Sequence, residues 1–182
     1  MISFLELTED KGGKNLHLEH LEDEILNYGV EGGRAALNFL RSLRDMLSGA
    51  SRSSVNMTVK WDGAPAIFAG VEPETGDFFV AKKSVFNVSP KLYKTSKEID
   101  DDLSGALNSK FKVALKEFSK LGIEGVLQGD LMWTDDVETD TIDGTSYYTF
   151  QPNTIVYAVP TDSDFGRKIN TSKIGIVWHT TY

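Results

Sequence analysis

The chain has 182 residues, 40% of them hydrophobic and 25% charged, enough for one medium globular domain with its own core. It contains no cysteine, which excludes disulfides, thiolate chemistry and cysteine-based zinc sites. Twenty-seven acidic against nineteen basic residues leave a formal charge of −8, which argues against broad duplex binding but leaves room for a local basic surface.

No apolar run approaches a membrane span, and Met1-Ile2-Ser3-Phe4-Leu5-Glu6 lacks the basic and apolar regions of a signal peptide. The expected setting is cytoplasmic, with no membrane partner.

Residues 1–14 read as a polar arm with a flexible turn at Lys11-Gly12-Gly13-Lys14. A helical pattern begins near Asn15, with Leu18, Leu21, Ile25 and Leu26 at spacings of three and four, and ends at Asn27-Tyr28-Gly29. Val30-Glu31-Gly32-Gly33 links it to a second helix over about 34–48, striped by Ala36, Leu40, Leu43 and Leu47. The pair predicts a helical hairpin ahead of a sheet, within a segment 1–54. His17, His20 and Glu24 share one face of the first helix; they are either a candidate metal site or a solvated helix end.

After a small-residue loop at 48–54, the run 55–70 reads as strand, turn, strand, with Lys60-Trp61-Asp62-Gly63 at the turn. A lysine set among Val59, Trp61 and Pro65 is expected to lose part of its hydration. Desolvation disfavours the ammonium form and makes an amine nucleophilic. Asp62 pulls the other way, so its expected role is to orient. Gly63 allows a close backbone approach.

Residues 72–77 form a turn before a strand at 78–81, as consecutive antiparallel strands rather than β-α-β units. Residues 82–120 carry nine lysines and five acids, a net +4, beginning with Lys82 and Lys83. Those two either hold phosphates or sit in a solvated loop. Short helices are expected over 96–108 and 110–121. Gly125–Trp133 reads as a buried strand carrying Asp130. Residues 134–145 read as a solvated acidic loop. Tyr147–Phe150, Thr154–Val159 and Lys173–His179 complete the strands.

In this order the motifs resemble those of covalent nucleotidyltransferases: ATP-dependent DNA ligases, RNA ligases and mRNA capping enzymes. Lys60-Trp61-Asp62-Gly63 looks like their Lys-x-Asp-Gly motif. Gly129-Asp130-Leu131 resembles their Gly-Glu-Leu, with the acid one methylene shorter. Lys173–His179 sits where the family has Glu-Gly-Val-Val-x-Lys, with Ile174 in the glutamate position and His179 in the lysine position. Pro65 replaces the arginine that usually follows the first motif. The pattern is most similar to ligase-like proteins of tailed bacteriophages.

The resemblance implies an α+β, antiparallel-sheet nucleotidyltransferase core over 55–182. It implies ATP and Mg2+ as co-reactants, nucleotide and DNA or RNA ends as partners, and a lysyl-AMP intermediate. Lys60 would be the nucleophile, Asp62 the orienting acid and Asp130 the ribose- or magnesium-binding acid. Val59, Gly63, Lys82, Lys83 and His179 would line the nucleotide, with Phe150 or Tyr157 stacked on the base. The chain stops before the family's last lysine motif. That implies a shortened domain or a relative that no longer completes ligation, and an inactive binding or structural phage protein is the alternative. DNA versus RNA, ATP versus GTP and oligomeric state stay open.

Overall fold

The computed structural model describes residues 21–49 and 60–182. The arm, His17, His20, the loop at 50–54 and the first strand with Val59 lie outside the described residues. The rest falls into two compact units, one within Gly13–Lys60 and one comprising Trp61–Tyr182. The division falls between Lys60 and Trp61, inside the Lys-x-Asp-Gly motif.

In the first unit, α1 (Asp23–Leu47) is two helical stretches meeting at Gly29, whose φ of 57° and ψ of −130° break the helix. The hairpin expectation placed a linker over 30–33, but those residues are helical. The break falls at Gly29, the one residue of α1 with non-helical angles.

The second unit is α+β with every strand pairing antiparallel. Its larger sheet has the order β2-β1-β3-β7, formed by β1 (Ala66–Val71), β2 (Phe78–Ala81), β3 (Val126–Trp133) and β7 (Gly175–Thr181). Strand β1 is central, and its Ile67, Phe68, Ala69 and Gly70 are all buried, which is why it reads as a continuous apolar run. The turn to β2 closes where expected: Glu72 N–H donates to the Asp77 carbonyl at 2.9 Å, and Gly76 takes a φ of 76°.

Two helices, α2 (Ser96–Asp102) and α3 (Gly105–Phe118), cover one face of this sheet. Thr95 and Glu98 form a capping box at the start of α2. Ile99, Phe111, Ala114 and Phe118 pack with Ile67, Ala69, Val80 and Leu131 in the main core. Burial of large apolar side chains of this kind contributes about 1.5–3 kcal/mol each. The opposite face carries Phe68, Phe79, Ala81, Val85 and Val126, joined by Tyr182.

A second sheet has the order β4-β5-β6, from β4 (Glu138–Ile142), β5 (Thr145–Phe150) and β6 (Tyr157–Pro160). Its Phe150 and Val159 pack with Met132, Trp133 and Ile169 of α4 (Asp164–Thr171). This corrects the reading of 134–145 as a loop. Asp143-Gly144, with φ of 50° and 79°, is the tight turn of a hairpin whose first strand is exposed throughout. Acidic composition hid β4. Helix α4 went unread too, although Ser163 caps it by accepting from Gly166 N–H at 2.9 Å.

Candidate functional site

The motif residues from Trp61 onward are locked into the second unit by side chains distant in sequence. The Trp61 ring stacks on Tyr157 at 4.9 Å and 13°, and Phe150 lies against both, 6.3 Å from Trp61 and 5.5 Å from Tyr157. The Asp62 amide donates to the Tyr157 hydroxyl at 2.8 Å, and that hydroxyl donates to the Asp62 carbonyl at 3.1 Å. The Asn153 side-chain amide donates to the same carbonyl at 2.9 Å and to the Asp62 carboxylate at 3.0 Å. Asn153 thus fixes the direction of the carboxylate. Asn153 itself is fixed by the Ile155 N–H, which donates to its side-chain oxygen at 2.8 Å.

Gly63 is required by close approach. A Cβ there would lie 2.4 Å from the Leu131 carbonyl oxygen. The next residues run along β3: Ala64 N–H donates to the Leu131 carbonyl at 3.0 Å, and Leu131 N–H donates to the Pro65 carbonyl at 3.1 Å. The motif therefore continues into the strand pairing that sets Ala66 opposite Asp130.

Leu131 points into the helix-covered core, so Asp130, its neighbour on β3, faces the other side of the sheet. His179 reaches it from β7. Gln128 pairs with Thr180 and Gly129 with Trp178, which leaves His179 as the extra residue of a β-bulge. Its Nε2 lies 3.4 Å from Asp130 Oδ1, and its Nδ1 lies 2.9 Å from the Thr180 hydroxyl. Below them Tyr182 donates to the buried Gln128 side chain at 2.7 Å. The result is a carboxylate–imidazole pair on the sheet face, one strand away from the strand that continues the motif.

Other expected residues are placed differently. Lys60 is exposed, which overturns the expectation that its neighbours strip its hydration. Phe150 is buried and Tyr157 half-buried, and both rings stack with each other and with Trp61. Lys82 pairs with Asp102 at 3.2 Å, while Lys83 lies exposed in the short 3-10 turn after β2.

Asp102 also accepts from Lys91 and, at 2.6 Å, from the Tyr93 hydroxyl. Lys91 first, then Tyr93 and Lys82, hold the Asp102 carboxyl well below the usual range. Burial, with Asp102 behind it, pushes the Tyr93 hydroxyl upward. Lys94 is bound to Glu72 and Asp77, Lys110 to Asp136, Lys112 to Asp100 and Lys120 to Glu117. The +4 segment is largely neutralised by acids within the fold.

A family model matches residues 15–182, nearly the whole chain, and its description is a family of unknown function. The chain belongs to the DUF6267 family. No curated protein and no solved structure matches it. Among the described residues of this DUF6267 chain no cluster of three or more His, Cys, Asp or Glu side chains is arranged to hold a metal. None of its described helices is long and apolar enough to cross a membrane. Two contributors escaped sequence reading. Asn153 showed only as half of a Pro-Asn turn, and the bulge that aims His179 leaves no compositional trace.

Proposed function

We propose that this DUF6267 chain is an ATP-dependent covalent nucleotidyltransferase of the ligase type, acting in nucleic-acid end joining or modification. The observation that carries the reading is a strand register. Ala64 and Pro65, directly after Gly63, are hydrogen-bonded onto β3, and the strand they lead into sets Ala66 opposite Asp130. The two best-matching motifs are neighbours in space although about seventy residues separate them.

The Lys60 amine would attack the α-phosphorus of ATP. A nitrogen–phosphorus bond forms, the bond to the bridging oxygen breaks, pyrophosphate departs and the amine gives up a proton. Because Lys60 is exposed before any nucleotide arrives, its activation would follow nucleotide binding rather than precede it. Asp62, aimed by Asn153, orients this end of the site, and Asp130 with His179 offers a polar pair toward ribose or phosphate. Magnesium would supply charge neutralisation of the triphosphate. Asp130 would supply the protein carboxylate for that ion, which takes one or two carboxylates and completes its shell with phosphate oxygens and water.

The test is incubation with α-labelled ATP or GTP and magnesium, followed by denaturing electrophoresis. A covalent label that disappears in Lys60→Ala supports the enzyme. No label at high protein concentration rejects it. The neutralised lysines favour a second reading, a ligase-like binding module without catalysis. Nucleotide-dependent thermal stabilisation without labelling would select that one.

A further inference from the structure

A cavity of about 720 Å³ opens beside the edge strand β7, lined from α3 by Glu117 and Phe118 and from the second-sheet cluster by Trp61, Met132 and Trp133. It lies wholly within Trp61–Tyr182, and Asp130 is not among its lining residues. The proposed chemistry assigns it no task. Trp61, Phe118, Trp133 and Phe165 supply aromatic walls, and Ile174 and Ile176 supply aliphatic ones. Its size falls in the range of small-molecule sites, and its lining is mainly apolar with few polar groups, as such sites require.

The polar groups gather around Glu117. Lys120 binds its carboxylate at 2.6 Å, and Lys173 approaches within 4.0 Å. One acid beside two lysines leaves this cluster with a single net positive charge. Glu117 and Lys120 both line the cavity, so the cluster faces an entering molecule.

We propose that this cavity binds a flat, ring-bearing small molecule carrying an acidic group. The ring enters between the aromatic walls and the anion stays at the lysine rim. Wall and rim select different halves of the same ligand, so they are separable by experiment. The walls also include Trp61, so occupancy touches the residue that follows Lys60.

The test uses 1-anilinonaphthalene-8-sulfonate as the anionic probe and N-phenyl-1-naphthylamine as its neutral counterpart, titrated against the full chain with fluorescence and calorimetric readout. The expected result is one saturable site per chain, with the anionic probe tighter. Lys120→Glu should weaken the anionic probe roughly tenfold and leave the neutral one unchanged. Leu121→Trp should weaken both by filling the mouth; Leu121 is 59% exposed, so the variant should fold. Ile174→Trp provides a second block from the opposite wall, and an unchanged melting curve certifies each variant. Absence of a saturable site, equal loss of both probes in Lys120→Glu, or undiminished binding in both filling variants would overturn the proposal. Labelling of Lys60 is not measured, so this result stands apart from that of the nucleotidyl-transfer reading.

Discussion

The Tyr157 hydroxyl grips the main chain of Asp62 at both its polar atoms, accepting from the amide at 2.8 Å and donating to the carbonyl at 3.1 Å. One side chain of β6 therefore anchors a motif that lies 95 positions away in sequence. Removing the hydroxyl leaves a half-buried amide without that partner. Tyr157→Phe should cost about 1–3 kcal/mol of stability. For a chain of this size that lowers the melting temperature by several degrees, roughly 2–4 °C per kcal/mol, as calorimetry would show. A melting temperature equal to the parent's would mean the anchor is redundant with Asn153.

Gly63 packs with no room for a side chain, because the obstacle is backbone: the Leu131 carbonyl oxygen would lie 2.4 Å from any Cβ added there. Gly63→Ala should destabilise by about 1–3 kcal/mol through forced separation of the motif from β3. Hydrogen exchange at the Ala64 and Leu131 amides, which bond across this gap, should speed up selectively. Unchanged exchange there would show that the gap relaxes freely.

Asp102 gathers Lys91, Tyr93 and Lys82 around one carboxylate, which lowers its pKa in the fold. A depressed acid stabilises the protein above its unfolded-state pKa, near 4, and loses that contribution as pH falls toward its folded value. Stability should therefore drop below about pH 4 more steeply in the parent than in Asp102→Asn. Denaturant midpoints measured from pH 2.5 to 7 would check this. Parallel curves for the two proteins would remove Asp102 as the cause.

The Asp130–His179 pair should matter for labelling rather than for folding, since it is a partly exposed contact that spans 3.4 Å. Asp130→Asn should cut the rate of Lys60 labelling by at least about tenfold, with melting within a degree of the parent. His179→Lys, which puts the family's cation on the same bulge, should keep or raise that rate. Equal loss in both variants would assign the pair a structural task.

Much of the second unit could be read from local chemistry. The apolar runs at Ala66–Val71 and Val126–Trp133 became central strands because both of their faces are buried. The Glu72–Asp77 turn also followed from residue type. Strand β4 did not, because an exposed edge strand needs no apolar residue and its pairing with β5 is what defines it.

By itself the amino-acid order determined the α+β class, the antiparallel strands, the Lys60-Trp61-Asp62-Gly63 motif and Asp130 on a strand, since each depends on residues near in sequence. Only tertiary structure decided that Asn153 and Tyr157 hold Asp62, that a bulge turns His179 toward Asp130, and that acids of the fold neutralise most of the lysines. Those contacts join residues that strand register brings together, and register is set by packing of the whole sheet rather than by any local stretch of chain.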